Sequence, residues 1–195
     1  MYIPGAKLFS VSSHCQKQND MESFSSLAAK RRSMRKFTEQ KLTEDEIRLL
    51  TRAALISPTS KHTNGWEFIT VDDPELLVQL SQCKESGAAL LAEAPFAIVV
   101  LGNPAVTDAW VEDASIAAIM IQLQAADLDL GSCWVHIRNR YTADGRAASD
   151  IVRKMFGIPA QYEPLCAVAI GHKGMERKPF NEDSLQWEKI HSNRF

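Results

Sequence analysis

Residues 110–130 constrain this chain more than any other stretch. Ala114, Ile116, Ala117, Ala118, Ile119, Met120, Ile121, Leu123, Ala125, Ala126, Leu128 and Leu130 leave almost no polar face beyond Ser115. A helix that is apolar all round must be surrounded by protein. Gln122, Gln124, Asp127 and Asp129 interrupt the run too often for a membrane span. Gly131 follows, the residue type best suited to a left-handed helix end, and Cys133-Trp134-Val135-His136-Ile137 then reads as a strand. Such a helix is wrapped by a sheet with helices, by a second subunit, or by both, and both is the expectation here.

The flanking segments supply the wrapping. A short helix with Phe24, Leu27 and Ala28 at helical spacing is expected over residues 21–30. Thr43 and Glu46 form a capping-box pattern ahead of Ile47, Leu49, Leu50, Ala53, Ala54 and Leu55, with Pro58 beyond the end. Residues 59–65 are a polar loop, and 66–71 alternate as a strand. Asp73-Pro74 opens a helix through Leu80, residues 86–93 make a helical turn, and 96–101 form a continuous apolar strand of the kind buried on both faces. A helix over 147–156 closes at Gly157, and 165–171 give the last strand. The class is therefore α+β or α/β, one sheet covered by helices.

At 195 residues, 45% apolar and 24% charged, the chain has the length and composition of one domain with a sizeable core. Its net charge of −2 gives no bulk attraction for nucleic acid or an anionic membrane. Cys15, Cys83, Cys133 and Cys166 are scattered, without a C-x-x-C pair or a His cluster at metal spacing, so reduced thiols in a cytoplasmic protein and no metal are expected. Residues 1–20 lack a secretory apolar core and are read as a poorly ordered, dispensable extension, with residues 21–195 as the single domain. Beyond His172 the chain is polar apart from the anchors Phe180, Leu185, Trp187, Ile190 and Phe195, a pattern suited to docking on a partner subunit.

Arg31, Arg32, Arg35 and Lys36 fall close together between Leu27 and Phe37, with Ser33 among them. Guanidinium groups match phosphate oxygens with paired donors. The same run also suits a solvated helix end, and composition does not separate the two. A second basic group, Lys173, Arg177 and Lys178, follows the last strand. Two such clusters at the ends of regular elements are able to converge on one anion.

Four motifs in register then point one way. Arg31-Arg32-Ser33-Met34-Arg35-Lys36-Phe37 resembles the R-x-S-x-R/K-x-F signature that opens the FMN-dependent nitroreductase family. Ser57-Pro58-Thr59-Ser60 leading to Trp66 resembles its serine and proline loop ending in tryptophan. Leu130-Gly131-Ser132-Cys133-Trp134-Val135 is similar to its G-S-C-W turn, and Ile170-Gly171 with Arg177-Lys178-Pro179 is similar to its closing phosphate element. The resemblance spans residues 21–195. It departs at His62-Thr63-Asn64-Gly65, where many relatives carry N-x-Q-P before the tryptophan.

The resemblance implies a three-layer α+β fold with a mostly antiparallel sheet of four to five strands. It further implies a homodimer packed through its central helix, with FMN at the interface, and hydride transfer from NADH or NADPH through flavin to an electrophilic acceptor such as a nitroaromatic or quinone. Carried over by position, Arg31, Arg32 and Ser33 hold the phosphate and ribityl chain, and Lys173 and Arg177 close on the phosphate. Thr59, Ser60 and Asn64 contribute from the polar loop. Arg35 stands by the N1 and C2 carbonyl edge of the ring, where a fixed cation favours the charge that reduction develops. Backbone amides of Val135, His136 and Ile137 face the ring. No side chain is required as acid or base. A non-catalytic flavin-binding module, or another flavin reductase or dehydrogenase on the same scaffold, shares these motifs.

Other groups carry simpler readings. Cys133 and His136, three apart on a strand, point to opposite faces and do not pair as nucleophile and base. Glu112 and Asp113 suit the dipole at the start of the central helix. His172 reads as an exposed loop histidine, and Trp110, Trp134 and Trp187 as core or interface anchors that also suit the wall of a flat-ring pocket.

Overall fold

The computed structural model describes residues 23–178 and 180–195, so the reading of residues 1–20 and the role of Met21 lie outside the described residues. Among the described residues, five α-helices and four strands follow in the order α1 (Phe24–Lys30), α2 (Glu44–Leu55), β1 (Trp66–Val71), α3 (Pro74–Ser81), β2 (Phe96–Gly102), α4 (Trp110–Asp127), β3 (Gly131–His136), α5 (Ala148–Phe156) and β4 (Glu163–Gly171). The strands form one antiparallel sheet in the order β1-β2-β4-β3.

β2 explains the layering. Its seven residues are all buried, and alternation sends Phe96, Ile98 and Val100 to one face and Ala97, Val99 and Leu101 to the other. The first face packs on Leu50 and Ala54 of α2 and on Ala114, Ala118, Ile121 and Ala125 of α4. The second packs on Leu77 and Leu80 of α3 and on Ala148 and Val152 of α5. The fold is thus a three-layer α+β sandwich with four strands. The capping box of α2 is present in full: Thr43 Oγ1 accepts from Glu46 N–H, and the Glu46 carboxylate accepts from Thr43 N–H at 2.7 Å.

The sheet and α2 leave one stripe of α4 uncovered. Ile116 is 37% and Ile119 39% exposed, with Leu123 half-buried beyond them. Within one chain, then, the helix that is apolar all round is wrapped on three sides.

The end of α4 differs from expectation. The left-handed residue is Asp129, at φ 57°. Leu130 N–H donates to Ala125 O and Asp129 N–H to Ala126 O, the paired bonds of a Schellman cap. Gly131 instead opens β3, and its lack of a side chain serves a close approach. A Cβ there would stand 2.6 Å from Cγ and 2.8 Å from Cβ of Met34, which is itself buried. Gly131→Ala is therefore expected to lose about 1–3 kcal/mol through overpacking. Chemical denaturation reads this, and an unchanged midpoint would mean that residues 33–37 shift aside freely.

Candidate functional site

The segment after α1 crosses the end of the sheet. Ser33 bridges Ser132 and Phe37 bridges Lys173, with Met34 N–H donating to Ser132 O, Thr38 N–H to His172 O and Gly174 N–H to Lys36 O. β3 and β4 meet there as Gly131 opposite Gly171. The two basic clusters, far apart in sequence, are joined by this crossing.

They converge on one cavity of about 970 Å³, lined by Lys30, Arg31 and Arg32 from one side and Lys173, Arg177 and Lys178 from the other, over Gly131 and Ser132. Lys173 is held by the Asp129 carboxylate, which also faces Lys30 at 3.7 Å. The hydrogen bond from Lys173 holds the Asp129 carboxyl below its usual range. The left-handed cap of α4 thus orients a cation of the cavity.

A smaller hollow of about 340 Å³ lies beside the next two residues of the same strand, Cys133 and Trp134, with Arg35, Gly87, Ala89 and Leu90 around it. Arg35 belongs to this hollow and not to the larger cavity. Burial pushes the Cys133 thiol up, against the pull of the nearby cations Arg35, Arg177, Arg31 and Lys84. Along β3, therefore, a strongly basic end gives way to a partly apolar end holding one arginine.

The three backbone amides assigned to the ring divide by register. Ile137 N–H donates to Leu165 O at 3.0 Å. Alternate residues of an antiparallel strand face the same neighbour, so Val135, opposite Ala167, is likewise turned into the sheet. β3 is an edge strand, and its outward backbone groups belong to Ser132, Trp134 and His136. Ser132 O takes Met34 N–H and His136 O takes Lys84 Nζ at 2.8 Å. Of the three, only His136 keeps its amide on the open edge, and Trp134 joins it.

Lys84 carried no signal in the sequence. It lies in the turn after α3 and reaches the site only because that turn folds over the edge of β3. Burial, followed by the charges of Arg140, Lys84 and Arg138, lowers the His136 pKa and favours the neutral imidazole. Trp134 Nε1 donates weakly to His136 Nδ1 at 3.4 Å, whereas Cys133 Sγ lies on the buried side. The strand separates thiol and imidazole as expected.

Thr59, Ser60 and Asn64 line neither hollow. They lie at the other end of α4, where Ser60 N–H donates to Asp113 Oδ1 at 2.8 Å and Asn64 N–H to Thr59 Oγ1 at 3.1 Å. Lys61, His62 and Asn64 all have positive φ. The start of α4 has no side-chain cap, so Asp113 is an anchor for this loop and not a cap. His172 is half-buried, not exposed, with Nε2 4.0 Å from Glu46 Oε1. Trp110 packs in the core under Arg138, whereas Trp187 is 71% exposed. Among the described residues no cluster of metal-binding side chains occurs, and no helix is long and apolar enough to cross a membrane.

Residues 28–86 and 79–172 match the model of the nitroreductase family. The chain belongs to that family. An Archaeoglobus fulgidus protein provisionally named NADH dehydrogenase/NAD(P)H nitroreductase is 29% identical over 170 residues, covering 85% of this chain and 94% of that one. A Bacillus subtilis FMN reductase (NADPH) is 26% identical, over 72% of this chain and 62% of its own. The structure of an FMN-dependent nitroreductase from Clostridium difficile R20291 superposes with a TM-score of 0.85 at 42% identity, covering 87% of this chain and 98% of that one. Of the motif residues quoted above, Arg31, Arg32, Gly131, Ser132, Arg177 and Lys178 line the larger cavity and Arg35, Cys133 and Trp134 the smaller, while Thr59, Ser60 and Asn64 lie at the far end of α4.

Proposed function

We propose that this nitroreductase-family protein is a homodimeric FMN-dependent oxidoreductase that takes hydride from NADH or NADPH and delivers it to an electrophilic acceptor such as a quinone or nitroaromatic. The observation that carries this reading is the gradient along β3: Lys30, Arg31, Arg32, Lys173, Arg177 and Lys178, six cations beside Gly131 and Ser132, then Arg35, Leu90 and Trp134 beside Cys133. A molecule with a phosphate at one end and a flat ring at the other fits that order. Arg31, Arg32 and Arg177 would hold the phosphate, with Lys173 oriented by Asp129 and Ser33 beside them. Arg35 would supply the fixed cation near the ring, and the edge-facing amides of Trp134 and His136 its hydrogen-bond donors. When bound, FMN supplies the two-electron chemistry, and the protein supplies position and charge.

The exposed stripe of α4 supports the dimer reading. α4 has 18 residues and is about 27 Å long. Its first turn holds the loop with Thr59, Ser60 and Asn64, while Ala126, near its other end, lines the basic cavity. A two-fold axis across the stripe of Ile116 and Ile119 would lay two such helices antiparallel. Each loop would then reach its mate's cavity, and the exposed anchors Trp187 and Ile190 would find a surface.

The test is the visible spectrum of the purified protein, followed by anaerobic NADH or NADPH. A yellow protein that bleaches supports the oxidoreductase. A yellow protein that does not bleach supports a flavin-binding module instead. A colourless protein that takes up no added FMN overturns the reading.

A further inference from the structure

Asp113 is a carboxylate at the start of the central helix, yet only 4% of it is exposed. Burying a charge this deeply is costly unless its oxygens are used. One is: Oδ1 accepts from Ser60 N–H, 53 positions away in sequence. The other, Oδ2, is buried without a hydrogen-bond partner. Two further buried groups without partners, Thr63 Oγ1 and Trp66 Nε1, belong to the same loop and to the strand that leaves it.

The held loop has an unusual backbone. Lys61 at φ 52°, His62 at 56° and Asn64 at 48° place three side-chain-bearing residues in the left-handed region within one short segment. Each such residue is disfavoured, Asn least, and persists only where surrounding contacts over-determine it. The contacts within the loop are few: Thr59 Oγ1 meets Asn64, and a single 3₁₀ turn spans Ser60–His62. Among the side-chain hydrogen bonds of the described loop residues, the one that ties the loop to the body of the fold is Ser60 to Asp113.

We propose that Asp113 is a positioning residue: it pins residues 59–64 at the end of α4 in the conformation that completes the substrate side of the flavin site. The proposal rests on the functional reading above and deepens it. Its reach is across the subunit interface, because the loop anchored in one chain would serve the cavity of its mate. Asp113 touches neither cofactor nor substrate. It acts through the Ser60 amide, on the loop that departs from the family pattern at His62 and Gly65.

The test uses three variants of the flavin-loaded enzyme. Asp113→Leu removes the acceptor. Asp113→Asn keeps an oxygen for Ser60 and replaces the unpartnered one with an amide. Ser60→Pro removes the donor instead; it suits the backbone, because Thr59 is already extended at φ −131° and ψ 157° and Ser60 opens a helical turn. Steady-state kinetics with NADPH and p-benzoquinone are normalised to bound flavin.

Loss of a charge-assisted bond predicts a rise of about tenfold or more in KM for the quinone in Asp113→Leu, with kcat per flavin nearly retained. Ser60→Pro should reproduce it, the double variant should be no worse than either alone, and Asp113→Asn should restore most of the loss. A merely structural role would lower the melting temperature and leave KM alone. Wild-type KM in both Asp113→Leu and Ser60→Pro, or effects that simply multiply in the double variant, would overturn the proposal. If Asp113→Leu does not fold, Ser60→Pro and Asp113→Asn decide. A wild-type protein that never turns over sinks the reading of the site itself, which separates that failure from failure of the anchor.

Discussion

Arg31→Ala combined with Arg177→Ala is expected to raise the Kd for FMN by a hundred-fold or more while leaving the fold intact. The two arginines come from opposite ends of the chain and meet on the same basic cavity. Each would give a charge-assisted contact to a phosphate, worth about 1.5–3 kcal/mol, so the pair together approaches or exceeds two powers of ten. Neither side chain is in the core: Arg31 is half-buried and Arg177 exposed. Quenching of flavin fluorescence on titration measures the effect. Arg48→Ala is the control, since among the described residues Arg48 pairs with Asp45 on the exposed face of α2, away from the cavity. Wild-type affinity in the double variant would mean that the cations serve solubility or another anion. A loss equal to that of the control would mean the same.

What the sequence disclosed and what it hid divide by the range of the interactions involved. The capping box of α2, the proline-led α3 and the doubly buried β2 depend on residues a few positions apart, and they stand where the pattern put them. Gly131 did not obey its local reading. The left-handed position fell to Asp129, whose carboxylate gains Lys173 and Lys30 from elsewhere, and Gly131 was required by Met34 on a distant segment. The site divides in the same way. Arg31, Arg32, Lys173 and Arg177 were legible as clusters, and the crossing of residues 33–38 over the sheet end brings them together. Which amides of β3 face outward depends on its pairing with β4, and so Val135 and Ile137 were assigned to a ligand although they are turned into the sheet. Lys84 and Asp113 have partners some fifty positions away; no local pattern marks Lys84, and the helix-dipole pattern that marks Asp113 does not disclose its bond to Ser60.

Ile119→Arg is expected to turn the proposed dimer into a monomer and, with it, to abolish most flavin-dependent turnover. Ile119 sits in the middle of the exposed stripe of α4, 39% accessible in one chain, so an arginine there stays solvated and each protomer keeps its fold. In a two-fold interface the substitution appears twice and sets two like charges against each other in a buried apolar surface. An uncompensated buried charge costs about 3–5 kcal/mol, enough to raise the dimer dissociation constant by a hundred-fold or more. Sedimentation velocity at micromolar protein should then show a single species of about half the wild-type mass, with an unaltered circular dichroism spectrum. Flavin affinity should fall in parallel, because Thr59, Ser60 and Asn64 lie at the far end of α4 from the cavity of their own chain and would be supplied by the mate. The two readouts must move together. A monomer that still binds FMN as tightly as wild type would confine the site to one chain and leave the loop held by Asp113 without a role in it. A variant that remains dimeric would place the interface elsewhere than on α4.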